Sequence, residues 1–388
     1  MKHMNQKQKR TIKCLMHYDT HDNTQQRAYH LAARTKADYV FDSFRDLGYG
    51  IDLLSASYTR GSRFVKGMKK EIAEDFTLRL LPCLGRGSAV KGKLSSLLFS
   101  LSFWARLLFF VGKDDVVWVY HSLWFMRALT LLKKLKRFKL ILEVEEVYGD
   151  VICSDKATAR EKAFVKLADA YVFPSRQLDE LLNTENKPSV ISHGTYRVTE
   201  VDPVGFGDGR IHVVYAGTLD VRMGSHSVVE MAKYLDEGYH VHILGGGKPH
   251  EIQALKDAVD AAQKDVRCAL TYDGILKGEA YTDFIRKCHV GLCPHQIDAT
   301  FNNTAFPSKI LSYMASGLKV VSVRIPVIEA SDVGEHLHYY DAHSAESFAR
   351  VVSSIDPSAS PDSREIIRDL HERFHKELGA LLDALETF

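Results

Sequence analysis

No two of the six cysteines in this 388-residue sequence stand at CxxC spacing, which excludes a zinc ribbon, and their scatter does not build a disulfide framework. A reducing cytoplasm is the expected compartment. The amino-terminal MKHMNQKQKRTIKCLMHYD is basic and lacks the apolar core and cleavage site of a secretion signal, running straight into a strand-like segment. A GxGxxG followed by a ribose-binding acid is missing after either candidate first strand, which disfavours a nicotinamide-dependent oxidoreductase. Finger, homeodomain and RNP-like motifs are missing too, so nucleic acid is not an expected partner. There are no internal repeats.

What is there is ordinary in bulk and uneven in distribution. With 45% hydrophobic and 26% charged residues the chain reads as globular, and its length exceeds one ordinary core, so two domains are expected. The formal net charge of +2 conceals an asymmetry: residues 1–200 hold 33 Lys and Arg against 22 Asp and Glu, leaving 18 against 27 for the rest. A basic first half suits an anionic partner, and a membrane surface is the better candidate because the basic residues lie among long apolar segments. The most apolar window, 94–112 (LSSLLFSLSFWARLLFFVG), is short for a bilayer and contains Arg106, so it is expected as a buried or interfacial helix rather than a span. Lys91, Lys93 and the run KKLKRFK (133–139) around it would favour docking on anionic lipid.

Strand-like and helix-like runs alternate through the chain. TIKCLMHY (11–18), GIDLLSAS (50–57), FTLRLLP (76–82), DVVWVYH (115–121), KLILEVEEV (139–147), AYVFPS (170–175) and PSVISHG (188–194) read as one parallel sheet of βαβ units. A Pro- and Gly-bearing segment breaks the rhythm, and IHVVYAG (211–217), HVHILGGG (240–247), RCALTYDGIL (267–276), HVGLCPH (289–295), LKVVSV (318–323) and LHYY (337–340) then restart it. The expected fold is α/β with two Rossmann-like domains: an acceptor-binding domain at 1–195, a linker at 196–210, a donor-binding domain at 211–360, and an amphipathic helix at 361–388 able to pack back on the first domain.

In doubly wound sheets ligands gather beyond the carboxyl ends of the strands. The second half offers five such ends: Gly217, Thr218 and Arg222; Gly245 and Gly246; the Asp273-Gly274-Ile275 turn; Pro294-His295; and the segment NNTAFPSKILSYMASG, where Asn303 and Thr304 precede Pro307, Ser308 and Lys309 at an expected helix start. Proline in the first helical turn, unpaired backbone N–H groups, a hydroxyl and an ammonium together suit a diphosphate.

VVYAGTLD with MG, HILGGG, YDGIL, FIRKCHVGLCPH and FPSKILSYMASGLKVVSV, in that order, resemble the donor-binding domain of the GT-B glycosyltransferases, in particular the family 4-like group 1 enzymes. LADAYVFPS and VISHG look like the end of that family's first domain, while its usual glycine-rich loop is replaced by HYDTHDNTQQ (17–26). The resemblance implies two domains facing each other across a cleft, a nucleotide-sugar donor (UDP-sugar favoured) as substrate rather than cofactor, and no metal, in keeping with the lack of a DxD motif. It implies a glycan or lipid-linked glycan acceptor, retention of configuration, and similarity to bacterial surface-polysaccharide sugar transferases. The expected site of action is cytoplasmic, at the inner face of the plasma membrane.

Two departures qualify that reading. Where relatives place paired glutamates this chain has Thr304 and Ser312, and the usual Arg and Lys after the first strand are replaced at Thr218 and Met223, leaving Arg222 as the nearby guanidinium. The alternative is a catalytically silent, nucleotide-sugar-binding partner subunit. From the first half His121, Glu146 and Asp22, with Asp19, are the candidate acid–base groups, each just beyond an expected strand. His17 and His21 imitate a metal pair but lack a third ligand.

Overall fold

The computed structural model describes residues 10–20, 24–85, 89–151, 154–201, 205–296, 304–341 and 344–387. The chain divides into two compact units, one of Met1–Pro174, Leu178–Ser192 and Phe374–Phe388, the other of Ser175–Gln177 and His193–Arg373.

The first unit is built on β1 (Thr11–Met16), β2 (Gly50–Ser55), β3 (Met68–Ala73), β4 (Phe76–Leu80), β5 (Val116–Tyr120), β6 (Lys139–Glu143), β7 (Ala170–Phe173) and β8 (Ser189–Ile191). They line up as β3-β4-β2-β1-β5-β6-β7-β8. All neighbours are parallel except β3, which pairs antiparallel with β4 at the sheet edge. The all-parallel expectation is corrected there: MKKEIA is polar and largely exposed, so no apolar run announces it. The central strands β5 and β6, VVWVY and KLILE, are apolar on both faces, whereas β1, β2 and β4 carry the ion-paired Lys13, Asp52 and Arg79. Trp118 lies wholly buried with Phe41 edge-on at 5.2 Å.

Helix Ala89–Phe110 sends Phe99, Phe103 and Leu107 into this core at a spacing of one helical turn. Its opposite side stays exposed at Leu94, Leu97, Leu98, Leu101, Leu108 and Phe109. By length and composition Gly92–Phe110 could cross a membrane, yet only 22% of its apolar window is buried in the protein.

The second unit carries β9 (Ile211–Thr218), β10 (Tyr239–Gly246), β11 (Ala269–Gly274), β12 (Val290–Cys293), β13 (Lys319–Val323) and β14 (His338–Tyr340), all parallel, in the order β11-β10-β9-β12-β13-β14. The order reverses between β9 and β12, which is where an open α/β sheet presents a ligand crevice. Helix Pro249–Ala262 after β10 starts with proline in its first turn, and the Glu251 carboxylate accepts from the Lys248 N–H at 2.7 Å. The last helix, Ser363–Thr387, enters the first unit from Phe374 onward, where Phe374 stacks on Tyr39 at 5.3 Å.

Candidate functional site

The carboxyl ends of β9 and β12 frame the candidate donor site. Two glycines open it. A Cβ on Gly217 would lie 2.9 Å from Lys309 Nζ, and a Cβ on Gly245, at φ +146°, would overlap the Gly217 carbonyl oxygen at 1.7 Å. Backbone can therefore approach a ligand at this point; no larger residue fits at Gly245, and one at Gly217 would displace the Lys309 ammonium.

Two tyrosines that sequence reasoning passed over hold the end of β9. The Tyr215 hydroxyl donates to the Thr218 carbonyl at 2.6 Å, and the Tyr313 hydroxyl accepts from the Ala216 N–H at 2.7 Å. Both lie inside apolar runs, so the only signal was a phenol in an otherwise aliphatic strand and helix. Lys309 opens the short helix Lys309–Ala315 and lays its ammonium on the Tyr215 ring, 4.4 Å from the centroid. Its stem is partly exposed, but the Nζ atom is buried and has no hydrogen-bond partner among the described residues. Burial pushes this lysine below its ordinary pKa, opposed only by the field of Cys293. His295 feels the same charge: burial first, then Lys309, lower it to about 3, so its ring is neutral beside the ammonium.

The other expected donor residues fall around this centre with different status. Pro307 lies one residue before the N-cap Ser308 rather than in the first helical turn, and its carbonyl accepts from Ile310 N–H at 3.0 Å. Ser308 is exposed, and its side chain makes no cap hydrogen bond. Thr218 is exposed at the end of β9, and Ile275 is exposed over Gly246, whose Cβ would meet the Ile275 Cδ1 at 2.6 Å. Ser312 is half-buried with its hydroxyl 3.5 Å from the Tyr281 hydroxyl, and the Thr304 carbonyl accepts from the Ser175 hydroxyl at 2.6 Å. Asn303 lies outside the described residues. Arg222 needs correcting as a phosphate group: its guanidinium is exposed and folded onto Asp220, with contacts of 2.9 and 2.6 Å, so its charge already has a partner.

In the first unit the expected acid–base residues that are described have different surroundings. His121 is 1% exposed, its Nε2 sits 2.6 Å from Glu161 Oε1, and its ring stacks on Phe164. Glu161 also accepts from the Tyr148 and Gly149 N–H groups at 3.0 and 2.7 Å. The reading of His121 as a base for an incoming hydroxyl is corrected: the ring is enclosed and ties the end of β5 to a carboxylate forty positions away. Glu146 is partly exposed and raised by burial, then by Glu145 and Glu161, which leaves it available to hold a proton. Asp19 is buried and accepts from the Thr20 N–H at 2.8 Å. Asp22 and His21 lie outside the described residues, and His17 Nδ1 bonds the Ala56 carbonyl at 3.0 Å.

A buried ion cluster sits nearby: Lys36 Nζ lies 2.5 Å from Glu145, 3.3 Å from Glu143 and 2.9 Å from the Ser192 carbonyl. Burial pushes Glu143 up, opposed by Lys36, while the two carboxylates outweigh burial at Lys36 and raise it.

A crevice at a strand-order reversal, lined by glycines and a buried ammonium with no hydrogen-bond partner among the described residues, suits a phosphorylated ligand. Solved structures place the architecture. Sucrose-phosphate synthase from Thermosynechococcus elongatus superposes with a TM-score of 0.68 over 97% of this chain and 99% of its own at 16% identity. A trehalose-6-phosphate structure from E. coli bound with UDP-2-fluoro glucose gives 0.63 at 10% identity, covering 97% and 99%. The UDP-forming α,α-trehalose-phosphate synthase from Burkholderia xenovorans in complex with glucose-6-phosphate gives 0.59 at 12%, covering 96% and 98%. The fold is GT-B. Residues 210–355 match the family Glycosyl transferases group 1, and the chain is a glycosyltransferase of the GT-B type. No curated protein matches the sequence. These matches do not favour the silent-partner alternative.

Proposed function

We propose that the chain transfers a sugar from a nucleotide-sugar, a UDP-sugar by preference, to a glycan or lipid-linked glycan, with the donor diphosphate seated at Gly217, Gly245 and Lys309. The observation that carries the reading is the buried Lys309 ammonium, which has no hydrogen-bond or ion-pair partner among the described residues. An ion in that state is costly by several kcal/mol unless something outside the chain supplies the opposite charge. A diphosphate does so, and the lysine stem is flexible enough to leave the Tyr215 ring for a phosphate oxygen.

The chemistry follows from the charge that develops. As the sugar–oxygen bond breaks, negative charge collects on the leaving diphosphate, and Lys309 is placed to stabilise it. With no DxD pair in the sequence, this reading gives the ammonium the work of a divalent ion. Front-face transfer with retention suits the site, since the leaving phosphate can take the acceptor's proton where His121 cannot. Glu146 is the remaining described candidate for that proton.

A lipid-linked acceptor at the cytoplasmic face of a membrane is supported by the first unit's surface. Phe109 is 86% exposed beside the leucine row of its helix, and a cavity of about 570 Å³ lined by Lys66, Lys69, Arg79 and Arg106 opens next to it. Apolar side chains beside cations are what an anionic bilayer binds. Surface-polysaccharide synthesis is the role we assign on that basis. Calorimetry with UDP, GDP, CMP and their sugars tests the donor: UDP binds the wild type and Lys309→Ala loses at least a hundredfold. Failure of every nucleotide to bind or turn over removes the reading. Flotation with anionic vesicles at low salt tests the surface, and no binding there removes the membrane part alone.

A further inference from the structure

The amino-terminal half of the second sheet carries a histidine cluster that the donor site does not use. His212 on β9 and His240 on β10 are direct register partners, and His242 follows two residues along β10, so the three rings share one face of the sheet. One nitrogen of each ring lies within 4.8 Å of the others. His212 is five residues before Gly217 along β9, or about 16 Å from the donor site.

The hydrogen bonds around the cluster dictate where the protons are. His212 Nε2 is 2.9 Å from Asp208 Oδ1, and His242 Nδ1 is 3.1 Å from Asp273 Oδ2. A carboxylate only accepts, so each of those nitrogens carries the N–H. The remaining nitrogens, His212 Nδ1 and His242 Nε2, face each other at 2.9 Å, and in the neutral rings both present lone pairs. Two acceptors at that separation repel unless a proton or a metal ion lies between them. His240 follows the same logic: the Thr271 hydroxyl donates to Asp273 at 2.9 Å, so its oxygen accepts from His240 Nε2–H at 3.2 Å, which leaves Nδ1 as a third lone pair.

Histidines whose outer N–H is fixed on a carboxylate or hydroxyl are oriented as metal ligands are. Phe206 stacks on His212 at 4.0 Å and Phe284 meets His242 edge-on at 5.0 Å, which dries the cluster, while the partly exposed His240 leaves a way in.

We infer that His212, His240 and His242 bind a late first-row divalent cation of the zinc class, with solvent as fourth ligand and Asp208 and Asp273 orienting two of the rings. Three imidazoles select Zn²⁺, Co²⁺, Ni²⁺ or Cu²⁺ over Mg²⁺ and Ca²⁺. Tetrahedral ligation at about 2.1 Å needs ligand nitrogens about 3.4 Å apart, so the closest pair parts slightly while the His240 ring, stacked on His242 at 3.8 Å, turns to bring its nitrogen in. Through Asp208 the ion would pin the segment entering β9 against β9 and β10, as a structural staple remote from the diphosphate.

The test uses the full chain, stripped with a chelator and titrated with Co²⁺ and then Zn²⁺. One equivalent of Co²⁺ should bind with the visible d–d bands of a four-coordinate site, Zn²⁺ should bleach them, Mg²⁺ should not, and the melting temperature should rise with Zn²⁺. His240→Gln, at a partly exposed position, should fold as the wild type by circular dichroism yet lose the bands and the zinc-dependent rise. Asp208→Asn should keep the stoichiometry with affinity lowered about 10- to 100-fold. No stoichiometric uptake by the folded wild type, or equal uptake by His240→Gln through histidines elsewhere, would overturn the inference.

Discussion

Lys36 in the first unit and Lys309 in the second both bury their ammonium groups, and they differ in what surrounds the charge. Lys36 has two carboxylates and a carbonyl within 3.3 Å, and its pKa is held above the ordinary value. Lys309 has an aromatic face and a neutral histidine, no described hydrogen-bond partner, and a pKa held below. Among the described residues one buried cation is satisfied from within and the other is not. The compensated ion holds the fold, and the one without a described partner is where we propose that a diphosphate binds.

The largest expected effect breaks the compensated side. Lys36→Met strands Glu143 and Glu145 in a buried place and should cost about 3–5 kcal/mol of stability in denaturant unfolding, with no specific effect on nucleotide affinity once folded. On the uncompensated side, Lys309→Ala should weaken UDP binding by about a hundredfold, or about 2.8 kcal/mol, by calorimetry. Equal loss of stability in both variants would erase the contrast.

A third ion site sharpens the comparison within the second unit. Asp332 is held below the usual carboxylate range by its hydrogen bond from His193 Nε2 at 3.1 Å, with Arg373 at 2.6 Å and Arg176 at 3.1 Å adding to it. A depressed carboxylate contributes stability that is present above its unfolded pKa of about 4 and fades as pH falls through the folded value. Asp332→Asn should therefore cost about 1–3 kcal/mol at neutral pH, and the gap to wild type should close in acid. The smallest effect is expected at Ser312, whose hydroxyl carries no charge and stands 3.5 Å from Tyr281. Ser312→Ala should change UDP affinity less than about threefold, under 0.7 kcal/mol; a larger loss would mean that the serine does the work of the glutamate it replaces.

Most of the architecture was legible because parallel strands covered on both faces are written as apolar runs, and Gly217, Gly245 and Lys309 stand at their ends. Strand β3 was not legible, since an edge strand of lysines and a glutamate has no apolar period to detect. His121 misled because its enclosure depends on Glu161, a partner that only the fold brings to it. Arg222 misled for a local reason: Asp220, two residues away, takes its charge. The histidines at 212, 240 and 242 went unnoticed because alternation along a strand and register between strands gather them, and neither resembles a metal motif in linear order.

The central claim is that Lys309 is kept at a cost in stability in order to bind a diphosphate, and thermal unfolding of Lys309→Met beside the wild type, each with and without UDP, tests it most directly. The account predicts that the unliganded variant melts above the unliganded wild type, because a buried charge without a partner has been removed, and that UDP raises only the wild type's melting temperature. A variant that melts lower without ligand, or that UDP still stabilises as much as it does the wild type, would contradict it.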